Sequence, residues 1–398
     1  MNNKFAQLMA DYTLNTIDLL LAALRIDHGA GWTASVREQG LLVLQSAFQY
    51  ESAWPSVGEL LVAMTPHMER EGYREAWIGW LEQGIMLCAK VQAELMQAQL
   101  YLELGYLHQL RSNYIQARQS LTNSIELCQK IGAITQQAKA LTRLAYVAQL
   151  QGEYVEAAHL VDHALRLLDN EQPEQDFCYF VLGVLAYHQS NFNEAVQYFR
   201  QAVQICEQQG NKRTIAQRYI GLGLALSTQA NYDEAIVIYK KAIALFAEVG
   251  DRGQQAVVEL NLGMVYLTAH QPAQALIYYH QAESVLLEIQ DELHLAMVYT
   301  NSGIAYRELS QFGESIEALC AALALWQPIG NLQQIANAYE ELGLTYQAMS
   351  DLRQAHETFH LAMRQITPLH QQKEYSLLYE RLTKHLEAVT NLPYDPSV

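Results

Sequence analysis

Small and bulky apolar residues return along this chain at a fixed interval, and within each interval they fall on helical spacing. Gly105, Ala145, Gly183, Gly223, Gly263, Gly303 and Gly343 follow one another at 40, 38, 40, 40, 40 and 40 residues, each preceded by Leu or Ser. Twelve residues beyond each stands another small residue: Ala117, Ala157, Ala195, Ala235, Ala275, Ser315 and Ala355. Four later comes a bulky one (Leu121, Val161, Phe199, Tyr239, Tyr279, Leu319, Phe359), and three later again a small one (Ser124, Ala164, Ala202, Ala242, Ala282, Ala322, Ala362). A small–large–small set at i, i+4 and i+7 lies on one face of a helix. Small residues let two helices approach closely, and the large one fills the gap to the next pair.

Turn signals separate the two helices of each interval: Asn113-Tyr114, Glu153-Tyr154, Asn191-Phe192, Asn231-Tyr232, Gln271-Pro272, Gln311-Phe312 and Asp351-Leu352. Gly132, Gly210, Gly250 and Gly330 follow the second helix, where a left-handed cap is wanted. The pattern predicts an all-α solenoid of stacked antiparallel helix hairpins. Gly72 to Trp80 resembles the second helix of a further repeat, with Pro66 expected to spoil its first. Two helical patterns, near 4–26 and 35–50, flank the breaker His28-Gly29-Ala30-Gly31. Tyr375 to Val389 should close the stack before Pro393 and Pro396. The expected organisation is an N-terminal helical region over 1–55, a degenerate repeat or cap, then an array of one degenerate and seven regular repeats over 56–370. A capping helix over 371–391 and a tail over 392–398 follow.

Composition narrows the function classes. With 25 basic and 42 acidic side chains the formal balance is −17, which disfavours nucleic acid and anionic membranes as partners. No apolar run approaches the roughly 20 residues that cross a bilayer. Lys4 is the only early cation, and Asp11 and Asp18 interrupt any signal-peptide stretch. Cys88, Cys128, Cys178, Cys206 and Cys320 are odd in number and widely spaced, and read as core residues of a reducing, cytoplasmic compartment. No cofactor motif occurs; Gly221-Leu222-Gly223 falls inside a helix, not after a strand. His356-Glu357-Thr358-Phe359-His360 spells H-E-x-x-H, whose two His could hold zinc with Glu357 as general base. Ala355, Phe359 and Ala362 already commit that helix to packing, so zinc proteolysis is the disfavoured alternative and metal ligands are expected to be absent. His159 and His163 form a second such pair with the same reading.

The columns resemble the W-x2-L-G-x2-Y…A-x3-F…A signature of tetratricopeptide repeats. Leu104-Gly105, Leu182-Gly183, Leu222-Gly223, Leu262-Gly263 and Leu342-Gly343 supply the L-G pair, and Tyr266, Tyr306 and Tyr346 the following Tyr. Tyr101, Tyr179, Tyr219, Tyr299 and Tyr339 stand in for the Trp. The interval exceeds the family's usual 34 residues, lengthening each hairpin by a combined ~9 Å. This long variant is similar to the repeats of kinesin light chains and of bacterial signalling arrays, and the resemblance implies a right-handed α-solenoid.

The resemblance implies that first helices line a concave groove, with ligand-facing positions six, three and two before the glycine and one, four and five after it. Asn261 and Asn301 match the asparagines that hold a peptide backbone in the family. Lys139, Arg143, Tyr146 and Gln149, then Phe177, Phe180, Tyr187 and His188, form a cationic and aromatic wall; Arg307, Glu308, Glu340 and Glu341 follow. Phe177 and Phe180 could equally pack inside the 38-residue repeat. The carboxylate clamp of chaperone adaptors is not recognisable, Leu102 standing where a Lys is required. The resemblance implies a non-enzymatic scaffold or regulatory adaptor that binds a peptide or helix of a partner protein. A peptide-sensing bacterial regulator is the alternative. The partner could be a separate catalytic or signalling chain, because similar arrays serve as sensors in nucleotide-binding signalling proteins and bacterial caspase-like proteases.

Overall fold

The computed structural model describes residues 2–26, 32–50, 53–54, 56–168, 174–369 and 373–390. These hold nineteen α-helices and, among the described residues, no strand. The expected α-solenoid of antiparallel hairpins is what the chain forms. Two compact units divide it: Met1–Gln229 with Glu248–Gly250, and Ala230–Ala247 with Asp251–Val398. The breaker around Gly29 and the tail with Pro393 and Pro396 lie outside the described residues.

The first unit begins with α1 (Asn2–Ile26) and α2 (Ala34–Ala47), which pack with α3 (Ser56–Arg70). The hairpins are α3 with α4 (Arg74–Lys90), α5 (Glu94–Leu110) with α6 (Tyr114–Ile131), α7 (Ile134–Leu150) with α8 (Tyr154–Leu167), and α9 (Gln175–His188) with α10 (Phe192–Gln209). Helix α11 (Lys212–Thr228) packs on α10. In the second unit α12 (Tyr232–Glu248) is followed by the hairpins α13 (Arg252–Thr268) with α14 (Pro272–Glu288), α15 (Glu292–Glu308) with α16 (Phe312–Ile329), and α17 (Leu332–Ala348) with α18 (Leu352–Ile366). Helix α19 (Lys373–Thr390) packs on α18 and buries Leu378, Leu382 and Val389 against Phe359 and Ile366.

The glycine column has a steric cause. A β-carbon at Gly105 would lie 2.7 Å from Leu121, at Gly183 2.7 Å from Phe199, at Gly263 2.4 Å from Tyr279, at Gly303 2.5 Å from Leu319 and at Gly343 2.5 Å from Phe359. In each of these five hairpins the bulky residue sixteen positions on fills the space beside the glycine. Where the column carries Ala145, that residue is Val161, the smallest of the set, and both are fully buried. The two positions share one volume.

Helix α3 corrects the expectation for Pro66, which sits within it. The ring lies on the exposed side, while Leu61, Met64, Thr65 and Met68 bury the other side and hold the helix together around the missing N–H. This hairpin reverses the size pattern of the others. Thr65 and Trp77 occupy the positions of Gly105 and Ala117 forty residues earlier, and the indole N–H of Trp77 donates to Thr65 Oγ1 at 2.9 Å. Its turn nonetheless keeps the common register. Gly72, Ser112, Gly152, Ser190, Ala230, His270, Ser310 and Ser350 all have positive φ, between 57° and 84°. Gly132, Gly210, Gly250 and Gly330 are left-handed as expected.

Four cysteines are buried, and burial pushes the thiols of Cys88 and Cys178 up to about 11 and that of Cys206 up to about 12. Cys320 departs from the core reading: it is exposed. It belongs to the column of Thr122, Asp162, Arg200, Lys240, His280 and His360, every member of which faces solvent. No described helix is long and apolar enough to cross a membrane.

Candidate functional site

In the first unit side chains of α5, α7, α9 and α11 form a ladder of rings and guanidinium groups. Arg143 stacks between Tyr106, 4.4 Å from ring centroid, and Phe177, at 4.7 Å. Arg218 continues the ladder over Phe177 at 5.1 Å and Phe180 at 4.8 Å. Phe177 and Phe180 stack at 6.0 Å, and Tyr146 meets Phe177 edge-on at 5.7 Å. Both phenylalanines are half-buried and pack against the core of their repeat. A cation over an aromatic face is attracted by the ring quadrupole, more so when water is partly excluded.

The charges around this ladder are mostly matched. Arg218 is buried and holds Asp176 through Nε at 2.8 Å and its terminal nitrogen at 2.7 Å. Lys139 reaches Glu174 at 3.3 Å. Glu69, buried at the end of α3, accepts from Arg74 at 2.8 Å and from Arg213 of α11 at 3.4 Å, a link between residues 144 positions apart. Arg143 has no ion pair among the described residues. Burial pushes the Glu103 carboxyl up to about 7, with Arg143 and Lys139 opposing the rise. Burial also raises Tyr106 and Tyr146 and lowers Arg143. Tyr187 donates to or accepts from Thr228 at 3.1 Å, and Gln149 and His188 contact each other at 3.1 Å. Glu103, Asp176, Glu69 and Arg218 escaped the sequence reading. Glu103 at least was within reach, since it stands two before its glycine as Arg143, Asn261 and Asn301 do.

In the second unit Asn261 on α13 and Asn301 on α15 occupy the same register on neighbouring first helices. Both are half-buried, and neither amide has a hydrogen-bond partner among the described residues. Arg307 donates to the Glu341 carboxylate at 2.6 Å and to its backbone carbonyl at 3.1 Å, so these two expected groove residues satisfy each other. Glu340 is taken by the closing helix: Arg381 holds both its oxygens at 2.6 and 2.5 Å, and His385 lies at 3.3 Å. Glu308 is exposed.

The H-E-x-x-H segment lies on α18. Phe359 is buried beneath the His385 ring at 5.1 Å, His356 and His360 contact each other edge-on at 4.5 Å, and Glu357 pairs with Arg353 at 3.2 Å. His159 and His163 are both exposed on α8. Among the described residues no group of three or more His, Cys, Asp or Glu side chains converges.

A family model described as tetratricopeptide repeat matches residues 136–208, 177–248 and 213–288. No curated protein matches the sequence. Among solved structures, a signal transduction ATPase with numerous domains and a tetratricopeptide repeat sensor, from Pyrococcus horikoshii, is similar with a TM-score of 0.63 and 17% identity. That match covers 89% of this chain and 51% of the other. A Rap protein complexed with competence and sporulation factor is similar with a TM-score of 0.55 and 15% identity, covering 96% of this chain and 99% of that one. The apo form of RapI gives 0.54 and 14%, covering 68% and 99%. At these identities the likeness is one of fold. The L-G and A-x3-F columns, with the close packing over the glycine that they encode, run through residues 136–288, where the tetratricopeptide-repeat model matches.

Proposed function

We propose that this chain is a non-enzymatic scaffold or regulatory adaptor that binds a peptide or helix of a partner protein along the inner positions of its first helices. The observation that carries this reading is the pair Asn261 and Asn301. Two half-buried amides, in register on adjacent helices and without internal hydrogen bonds, offer donors and acceptors in a spacing set by the fold. Half-buried polar groups ordinarily find partners, and an extended backbone can supply them. The aromatic and cationic inner face of the first unit supports the same reading, since rings and Arg dominate binding hot spots.

The experiment is affinity capture from the native host with the wild-type chain and an Asn261→Ala/Asn301→Ala variant. Loss of a partner in the double variant supports the reading; identical captured partners overturn it. A peptide-sensing regulator is the second reading. It is favoured by the near-complete mutual coverage with the Rap protein solved in complex with competence and sporulation factor. Under either reading the partner could be a separate catalytic or signalling chain, and the buried, unpaired cysteines suit a reducing cytoplasm.

A further inference from the structure

Arg143 is the cation of the first unit's ladder without an ion pair among the described residues, Glu103 being the acidic group near it. Lys139 has Glu174, Arg213 has Glu69, and Arg218 has Asp176. Arg143 has rings and, near it but not paired with it, Glu103. The Tyr106 and Phe177 ring centroids lie 4.4 and 4.7 Å from its guanidinium carbon. Its N–H donors lie in the guanidinium plane, and no acceptor among the described residues takes them. A planar fork of donors matches a carboxylate in the same plane. A half-buried cation without a counter-ion has also lost hydration that a ligand's anion would restore.

We propose that Arg143 anchors an acidic side chain of a peptide bound on the inner face of the first unit, with Tyr106 and Phe177 holding the guanidinium flat. The inference rests on the groove reading above and adds the chemistry of one ligand position. Tyr146 and Phe180, beside the stack, call for an apolar or aromatic residue next to the acidic one. Glu103, which senses the charge of Arg143, disfavours a doubly charged phosphate at the same place.

The test selects binders from a phage-displayed random heptapeptide library on the full chain. The best sequences are then synthesised acetylated and amidated, so that the acidic side chain is the only carboxylate. Isothermal titration is expected to show that changing this residue to its amide weakens binding about tenfold or more. Arg143→Gln should weaken the acidic peptide equally and the amide peptide not at all, with Arg143→Lys intermediate. A phosphoserine in the acidic position should bind more weakly than the carboxylate. The peptide-side change is read on the unaltered protein, so it decides the matter even if Arg143→Gln fails to fold. Selected peptides without an acidic residue, or losses that simply add, overturn the proposal. Binders that respond to Asn261→Ala/Asn301→Ala but not to Arg143→Gln sink this inference and leave the groove reading standing. A selection that yields no binder counts against both.

Discussion

Gly263 and Tyr279 compete for one space, which holds a ring or a methyl group but not both. A β-carbon 2.4 Å from a fully buried ring has nowhere to go. Gly263→Ala should therefore cost about 1–3 kcal/mol by overpacking, more than the ~1 kcal/mol that alanine gains over glycine inside a helix. Pairing it with Tyr279→Val, which copies Ala145 and Val161, should cost less than the two changes summed, as urea unfolding of the four proteins would show. Tyr279 also carries a buried hydroxyl without a hydrogen-bond partner. Tyr279→Phe should leave stability unchanged or raise it by up to about 1 kcal/mol. These columns were legible in the sequence because a steric exclusion leaves only small residues. The left-handed turn residues were not. Ser350 and Ala230 give no sign of a positive φ, and the adjacent polar pair drew attention one position too late. Ser350→Gly should stabilise by about 1 kcal/mol in the same assay, relieving a conformation that costs an L-residue about that much.

Helix starts in this chain repeat a device that the sequence reading passed over. Asn211, Asp251, Asp291, Asn331 and Asp351 each accept from the backbone N–H three residues on, at 3.0 to 3.3 Å. Such residues cap helices because the first amides have no partner within the helix. Asn331→Ala should lower stability by about 1 kcal/mol and raise amide exchange in the first turn of α17. Beside its apolar face α19 meets the buried Glu340 through Arg381 and His385. Arg381 satisfies the buried Glu340, and Arg381→Ala leaves that carboxylate to its lone His385 neighbour at a cost of about 1–3 kcal/mol. Hydrogen exchange should quicken across Lys373–Thr390 while the first unit stays unchanged. That α19 would bury an apolar side was legible from its spacing. That it would claim an expected groove residue was not, because the partner lies 41 positions away and in no shared register.

For the whole molecule, two buried groups set opposing responses to pH. The Glu103 carboxyl rises from 4.5 to about 7, so the folded chain holds its proton longer than the unfolded one, and this stability is lost as pH climbs through that window. His67 falls from 6.5 to about 4 through burial and the charge of Arg70, so its contribution is present above 6.5 and lost as pH falls toward 4. The two slopes cancel in part between 4.5 and 6.5. Glu103→Gln should remove the alkaline loss and make the protein more stable than wild type above pH about 7, measured as denaturation midpoints across pH. The fold was legible because stacking repeats itself every 40 residues. The inner face was legible only in part: Lys139, Arg143, Tyr146 and Phe177 could be placed by register. That Lys139 already had a partner depended on Glu174, a residue whose neighbours the repeat does not encode.

The contact between Glu69 and Arg213 gives the first unit a mechanical property that a plain stack lacks. A row of hairpins joined only to nearest neighbours peels from its ends one member at a time. Linking α3 to α11 closes the segment between them, so an end that frays past either helix also gives up this contact. Arg213→Ala should therefore ease opening of the unit by no more than about 1 kcal/mol, read as faster amide exchange in α3 and α11.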